Sequence, residues 1–515
     1  DLTGAPVSTA QLRHASNQVG VTRAPSPDYP AAAPYPPSED YPEYPFHGRI
    51  AQSLNGVYDS LRRLFRILGY DLERYGTRDW NPLGHLIEPG MTVVIKPNFV
   101  LSRHPAHKDV YAVITHPSVL RAIADYCWIA LHGQGKIVFA DTPQYDCNFA
   151  ELLATTRLDR VCDFYASFLG PRVEIRDLRN YWSAQRHFPS MIRPLPGDPE
   201  GQITVDLGRR GALREGPAPQ RYYGAVYHRQ ETIGAHSGDR QEYQVAGTVM
   251  KADVVISVPK MKVHKKVGVT LNVKGLVGIC TNKNLLVHYS LGCPTEGGDQ
   301  YPEGLFTPLE QALIGIERWM YDHFLAKQSV TLEHVHRSLY WLHGQTLKRL
   351  GIAVDPMKRM YDAGNWYGND SAWRMAADLA RIIYFADAEG RLQQSPQRRL
   401  FSVVDGIIGG ENNGPLSPDP KPAGLLAAGE NLLAVDLVVA RLMGFDRHRM
   451  RQFSILEDRH FDFGIRRIED VAVVSDDAAL RGCLSNANDR YLAFAAHPGW
   501  QGHLEVDNCL EEEKL

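Results

Sequence analysis

Lys260, Lys262 and His264, three side chains that can carry or transfer a proton, occupy alternate positions of the run VPKMKVH. Apolar Met261 and Val263 separate them. Alternate residues of an extended segment share a face, so the spacing predicts two ammonium groups and an imidazole pointing one way. The preceding run Val254–Val258 reads as a buried strand. Pro259, which has no N–H for a ladder, ends it. Thr270, Asn272 and Lys274 repeat the alternation further on. Cations gathered beyond a buried strand suit anion binding or proton handling. His264 is the best general acid or base, because an imidazole titrates near neutrality.

Other candidates stand at the ends of other apolar runs. Met91–Ile95 leads into Lys96 and Asn98, Lys136–Ala140 into Asp141, and Phe401–Val404 into Asp405. In open parallel sheets ligands bind beyond the carboxyl ends of the strands. Asp405–Pro415, DGIIGGENNGP, reads as a glycine-rich loop whose N–H groups could form an anion nest. It meets neither nucleotide-binding fingerprint. Its Glu411 would repel a phosphate and suits a metal ion or general-base work. Asp436 interrupts the apolar run LLAVDLVVA. Burial there would raise its pKa, and it fits a buried ion pair as well as an active-site carboxylate. His264, Lys262, Asp405, Glu411 and Asp436 are therefore the candidate catalytic residues. Lys96, Asn98, His116, Lys260, Asn272 and Lys274 are the candidate substrate ligands, holding a carboxylate or phosphate and offsetting charge that develops in the transition state. A divalent metal is compatible with His264, Asp141, Asp405, Glu411 or His116, although their spacing is not diagnostic.

The elements that must position these residues alternate strand and helix. Gly48–Tyr70 has helical apolar spacing, as does the segment that starts at Thr115, His116 and Pro117. With strands at Met91–Ile95 and Lys136–Ala140, this order predicts an α/β fold with a mainly parallel sheet of βαβ units. Residues 1–47 read as an extended Pro/Tyr-rich arm with a first strand. Residues 48–178 read as the first α/β half, 179–245 as a polar insertion of hairpins, and 246–300 as the central strand with the Lys/His motif. Residues 301–400 read as a helical subdomain, and 401–515 as the second α/β half with a tail.

Composition narrows the function classes. A net charge of −3 on 515 residues gives no reason to expect nucleic acid as a partner. No apolar run reaches the roughly 20 residues that span a bilayer. Seven cysteines without a C-x-x-C pair suit a reducing compartment, and the expectation is cytoplasmic. The arm offers a route to a homo-oligomer.

KPNFV, THPSV, VPKMKVH, TLNVKGLVG, DGIIGGENNGP and NLLAVDLVVARLMG, in that order, resemble the motifs of the domain of unknown function 362 family. That resemblance implies no settled activity. Many members carry cysteine-ligated iron–sulfur clusters, and the missing C-x-x-C speaks against a cluster here. The functional expectation is an enzyme acting on a small carboxylated or phosphorylated anion by acid/base chemistry. The alternatives are a non-catalytic binding or assembly protein and a redox-associated subunit.

Overall fold

The computed structural model describes residues 15–506, apart from 185–188, 225–227, 328, 353, 486–488 and 490. Its centre is a ten-stranded mixed sheet. Five strands form its parallel core: β2 (Thr92–Pro97), β3 (Lys136–Asp141), β4 (Val173–Asp177), β5 (Val254–Val258) and β8 (Arg399–Glu411). β2 lies between β3 and β5, β4 flanks β3, and β8 flanks β5. Beyond β8 the sheet turns antiparallel through β9 (Asp419–Gly429) and then β1 (Gln18–Arg23). β10 (Ala472–Ser475) closes this edge parallel to β1. β6 (Lys260–His264) continues from β5 beside the far end of β8, and β7 (Gly268–Thr270) folds back on β6.

The strands are apolar on both sides because both faces are covered. Val93 and Ile95 join one core with α1 (Gly56–Ile67) and α2 (Pro117–Ala130). Val94, Val138 and Val255 join the other, with α8 (Ala372–Phe385) and α9 (Leu432–Leu442). α2 starts where the sequence places it: His116 is its N-cap and Pro117 opens the first turn. Asn431 caps α9 through the N–H groups of Leu433 and Ala434.

Three sequence expectations need correction. The loop expected at Asp405–Pro415 is largely strand, because β8 runs on to Glu411 and pairs with β9 as far as Asp419. Its glycines answer to crowding, not to turns. A Cβ on Gly410 would meet the Ala112 carbonyl oxygen at 2.5 Å, and one on Gly409 the Phe494 ring at 2.5 Å. The Pro/Tyr-rich arm, described from residue 15 on, is not a free extension but packs in part on its own chain. Tyr35 and Tyr44 are buried in the α1–α2 core, and Tyr44 Oη accepts from Arg121. Finally, α8 does not belong to a separate helical unit: every residue from Ala372 to Phe385 except Trp373 and Arg374 is buried.

The insertion and the helical segment form a roof over the carboxyl end of the sheet. Tyr222–Tyr223 of the insertion pairs antiparallel with Tyr289–Ser290. The helical segment contributes α6 (Pro308–Met320) and α7 (Val330–Arg349). Among the twenty residues of α7 only Glu333 is buried.

Candidate functional site

A cavity of about 360 Å³ lies beneath this roof, where β2, β3 and β6 end. Asn98, Asp141, Lys262 and His264 line it from the sheet, Lys274 and Lys283 from the segment after β7, and Tyr223, Tyr289 and Arg318 from above. Five lysines and one arginine face this space, Lys265 and Lys266 completing the set. Among the described residues Asp141 is its only lining carboxylate. Asp141 is already matched by Lys96, 3.0 Å away and equally buried.

Lys262, Lys266 and Lys283 are held by dipoles and not by counter-charges. Lys262 Nζ donates to the carbonyl oxygens of Val113 (2.6 Å) and Pro415 (3.0 Å). Lys266 Nζ donates to Ala363 O. Lys283 Nζ uses all three hydrogens, on Thr142 O (2.9 Å), Thr142 Oγ1 (2.6 Å) and Val277 O (2.7 Å). Carbonyl groups orient an ammonium but leave its formal charge. Burial therefore pushes these groups toward neutrality: Lys262 and Lys266 fall well below the ordinary lysine value. Lys283 falls to about 8, and Lys274, with the Lys283 charge nearby, to about 7. Lys274 Nζ has no hydrogen-bond or ion-pair partner among the described residues.

Two imidazoles face the cavity in opposite tautomers. His264 Nδ1 accepts from the Lys266 N–H at 3.0 Å, so its neutral ring carries hydrogen on Nε2 and is a donor there. His288 Nδ1 lies 2.8 Å from the Leu286 carbonyl oxygen and must donate to it, which leaves a lone pair on Nε2. Burial, with the Lys274 charge next in weight, holds both rings well below the ordinary histidine value. Four further lining residues carry buried polar atoms without a partner: Asn98 Nδ2, Thr270 Oγ1, Gln144 Oε1 and Asn365 Oδ1. Native structures leave few such atoms unsatisfied, and these four share one space.

The structure thus brings together Asn98, Lys262, His264 and Lys274 of the sequence candidates, with Lys96 just beneath through Asp141. The others lie elsewhere. The β6/β8 register shifts between Lys260 and Lys262, and Lys260 does not line the cavity. It pairs instead with Asp405 (3.1 Å) in a sealed cluster. There Tyr29 Oη accepts from Lys260 Nζ (2.6 Å) and donates to Asp405 Oδ1 (2.6 Å), while His116 stacks on the Tyr29 ring at 4.0 Å. Glu411 pairs with Lys421 at 3.2 Å near the turn after β8. Asp436 accepts from Asn272 N (2.8 Å), Asn272 Nδ2 (2.8 Å) and Val273 N (2.9 Å), so both Asp436 and Asn272 fix the backbone that presents Lys274. Among the described residues no three His, Cys, Asp or Glu side chains converge as a metal-ligand set.

Lys266, Lys283, His288 and Arg318 escaped the sequence reading. A signal for three of them was present: no acidic residue occurs between Asp253 and Glu296, a stretch that holds six lysines and both cavity histidines. Arg318 had none, since α6 is remote in sequence.

The sequence profile described as Domain of unknown function (DUF362) matches residues 93–180 and 202–441, well over half of the chain. The chain belongs to this family. Every lining residue named above falls within the matched segments. The Thylakoid-associated protein sll1697 of Synechocystis sp. is 42% identical over 46 residues, which is 9% of this chain and 14% of that protein. The chain thus matches only a small part of this relative's length. A crystal structure of a Thermotoga maritima protein aligns with a TM-score of 0.30 at 10% identity, over 74% of this chain and 56% of that one. Among the described residues of this DUF362 chain, no helix is long and apolar enough to cross a membrane.

Proposed function

We propose that this DUF362 protein is an enzyme that acts on a small polyanion, carboxylated or phosphorylated, by acid/base chemistry in the roofed cavity. The carrying observation is the charge imbalance: five lysines line the space against one lining carboxylate that Lys96 already neutralises, while the sixth cation, Arg318, is paired with Asp362 at 3.1 Å. Burying uncompensated cations is costly, and an anion of matching charge relieves that cost. The volume is that of a small-metabolite site. In this reading the lysines and Arg318 hold the anion. Neutral His288 takes a proton on Nε2, and neutral His264 donates from Nε2–H to an oxygen that gains charge. Asn98 and Thr270 supply further donors. The six described cysteines are free thiols, which supports a reducing, cytoplasmic setting.

Thermal unfolding in low-salt buffer with citrate, phosphate or chloride tests the reading. Citrate and phosphate should raise the melting temperature more than chloride does, and Lys266→Ala should abolish that difference. Equal responses to all three anions in the wild type would sink the proposal. For a turned-over substrate, His288→Gln should lower kcat by about 10²–10⁴-fold.

A further inference from the structure

We propose that Lys274 is the nucleophile of this site and forms an imine with the carbonyl group of an anionic oxo compound. The inference rests on the reading of the cavity as an anion site and adds a covalent step to it. Lys274 differs from its neighbours in geometry. Lys262, Lys266 and Lys283 are tethered to carbonyl oxygens, and Lys283 has no N–H left over. Lys274 is 6% exposed and lines the cavity, yet its Nζ touches no acceptor among the described residues. Its backbone is nevertheless firmly held. Asp436 grips Asn272 and Val273, and Ser402 Oγ donates to Asn272 Oδ1 at 2.9 Å. A fixed stem with a free amine is the form a nucleophile takes. A buried lysine beside another cation is partly a free amine at neutral pH, which agrees with the value of about 7 at Lys274.

The step balances with groups already in the cavity. The Nζ lone pair adds to the carbonyl carbon, and the C=O π pair moves to oxygen, which accepts a hydrogen bond from His264 Nε2–H. His288 Nε2 takes one hydrogen from the new ammonium and passes it to that oxygen, giving a carbinolamine. The second N–H hydrogen follows the same route as the C–O bond breaks and the nitrogen lone pair forms C=N. Amine and carbonyl become imine and water, and both imidazoles return to their starting state. The lysines and Arg318 hold the carboxylate or phosphate of the compound meanwhile.

Glyoxylate, a carboxylate joined to an aldehyde, is small enough to serve as the probe. The full-length protein is incubated with glyoxylate and cyanoborohydride, which reduces an imine to a stable carboxymethyl-lysine, and the adducts are mapped by mass spectrometry. The expected result is an adduct on Lys274 at least ~10-fold above any other lysine, since Lys262, Lys266 and Lys283 are tethered to carbonyl oxygens and ordinary lysines are protonated near pH 7.5. Its labelling rate should titrate near neutrality. Lys274→Arg, which keeps the positive charge, should remove this adduct. An unmodified Lys274 beside labelled neighbours would overturn the imine. If the citrate shift persists in that case, the anion site stands alone; if it is absent as well, both readings fall.

Discussion

At Gly278 one missing methyl group lets the cavity floor close. A Cβ there would lie 2.1 Å from Asp141 Oδ1 and 2.5 Å from Lys96 Nζ. The glycine is required by this approach and not by its backbone angles. Gly278→Ala should therefore wedge apart a buried ion pair and destabilise the fold by about 1–3 kcal/mol, the usual cost of overpacking, as read from urea denaturation. The same substitution should weaken citrate binding, because the floor that carries Asp141 moves. Lys96 and Asp141 each stood out in the sequence as charges at strand ends. Their pairing did not, because nothing local joins residues in different strands.

At the scale of elements, α7 and α2 make opposite predictions. Leu342 on α7 is 55% exposed, whereas Ile123 on α2 is fully buried between α1 and the sheet. Leu342→Gln should change stability by no more than about 0.5 kcal/mol. Ile123→Ala should cost about 2–5 kcal/mol, and equal costs in denaturation would contradict this packing. Legibility followed the same divide between local and distant causes. The Val254–His264 segment was readable because strand periodicity and Pro259 act within a few residues. The alternation was nonetheless broken by the register shift against β8, which sent Lys260 to Asp405 and Lys262 to the cavity. β8 and β9 were hard to read because their glycines and prolines carry turn chemistry in isolation. Only the approach of Ala112, Phe494 and β6 explains them as strand. Asp436 was legible as buried, but its partners are backbone N–H groups 163 and 164 residues away.

For the whole molecule, the buried cations fix how stability responds to pH. Lys274 and Lys283 bind protons more weakly when folded, near 7 and 8, than an unfolded lysine does at about 10.4. Between those values the unfolded chain holds more protons, so stability rises with pH. The contribution is complete above the unfolded value and is lost as pH falls through the folded ones. The ligand-free melting temperature should thus increase from about pH 7 to about pH 9. Saturating citrate should flatten that slope, since an anion favours the charged lysines. A falling ligand-free curve across this window would contradict the arrangement.

The placement of β1 carries a consequence for synthesis. Gln18–Arg23 pairs with β9 on one side and β10 on the other, and Ser475 Oγ donates to Val21 O across 454 residues of chain. At about 5–20 residues per second of translation, roughly 20–90 s separate the emergence of β1 from that of its last partner. Until β9 is made, late in that interval, Val19 and Val21 have no native neighbours in the sheet, and an unpaired apolar strand recruits wrong ones. The strand that joins β9 to the edge strand β10 in the finished sheet is the one left waiting longest while it is made.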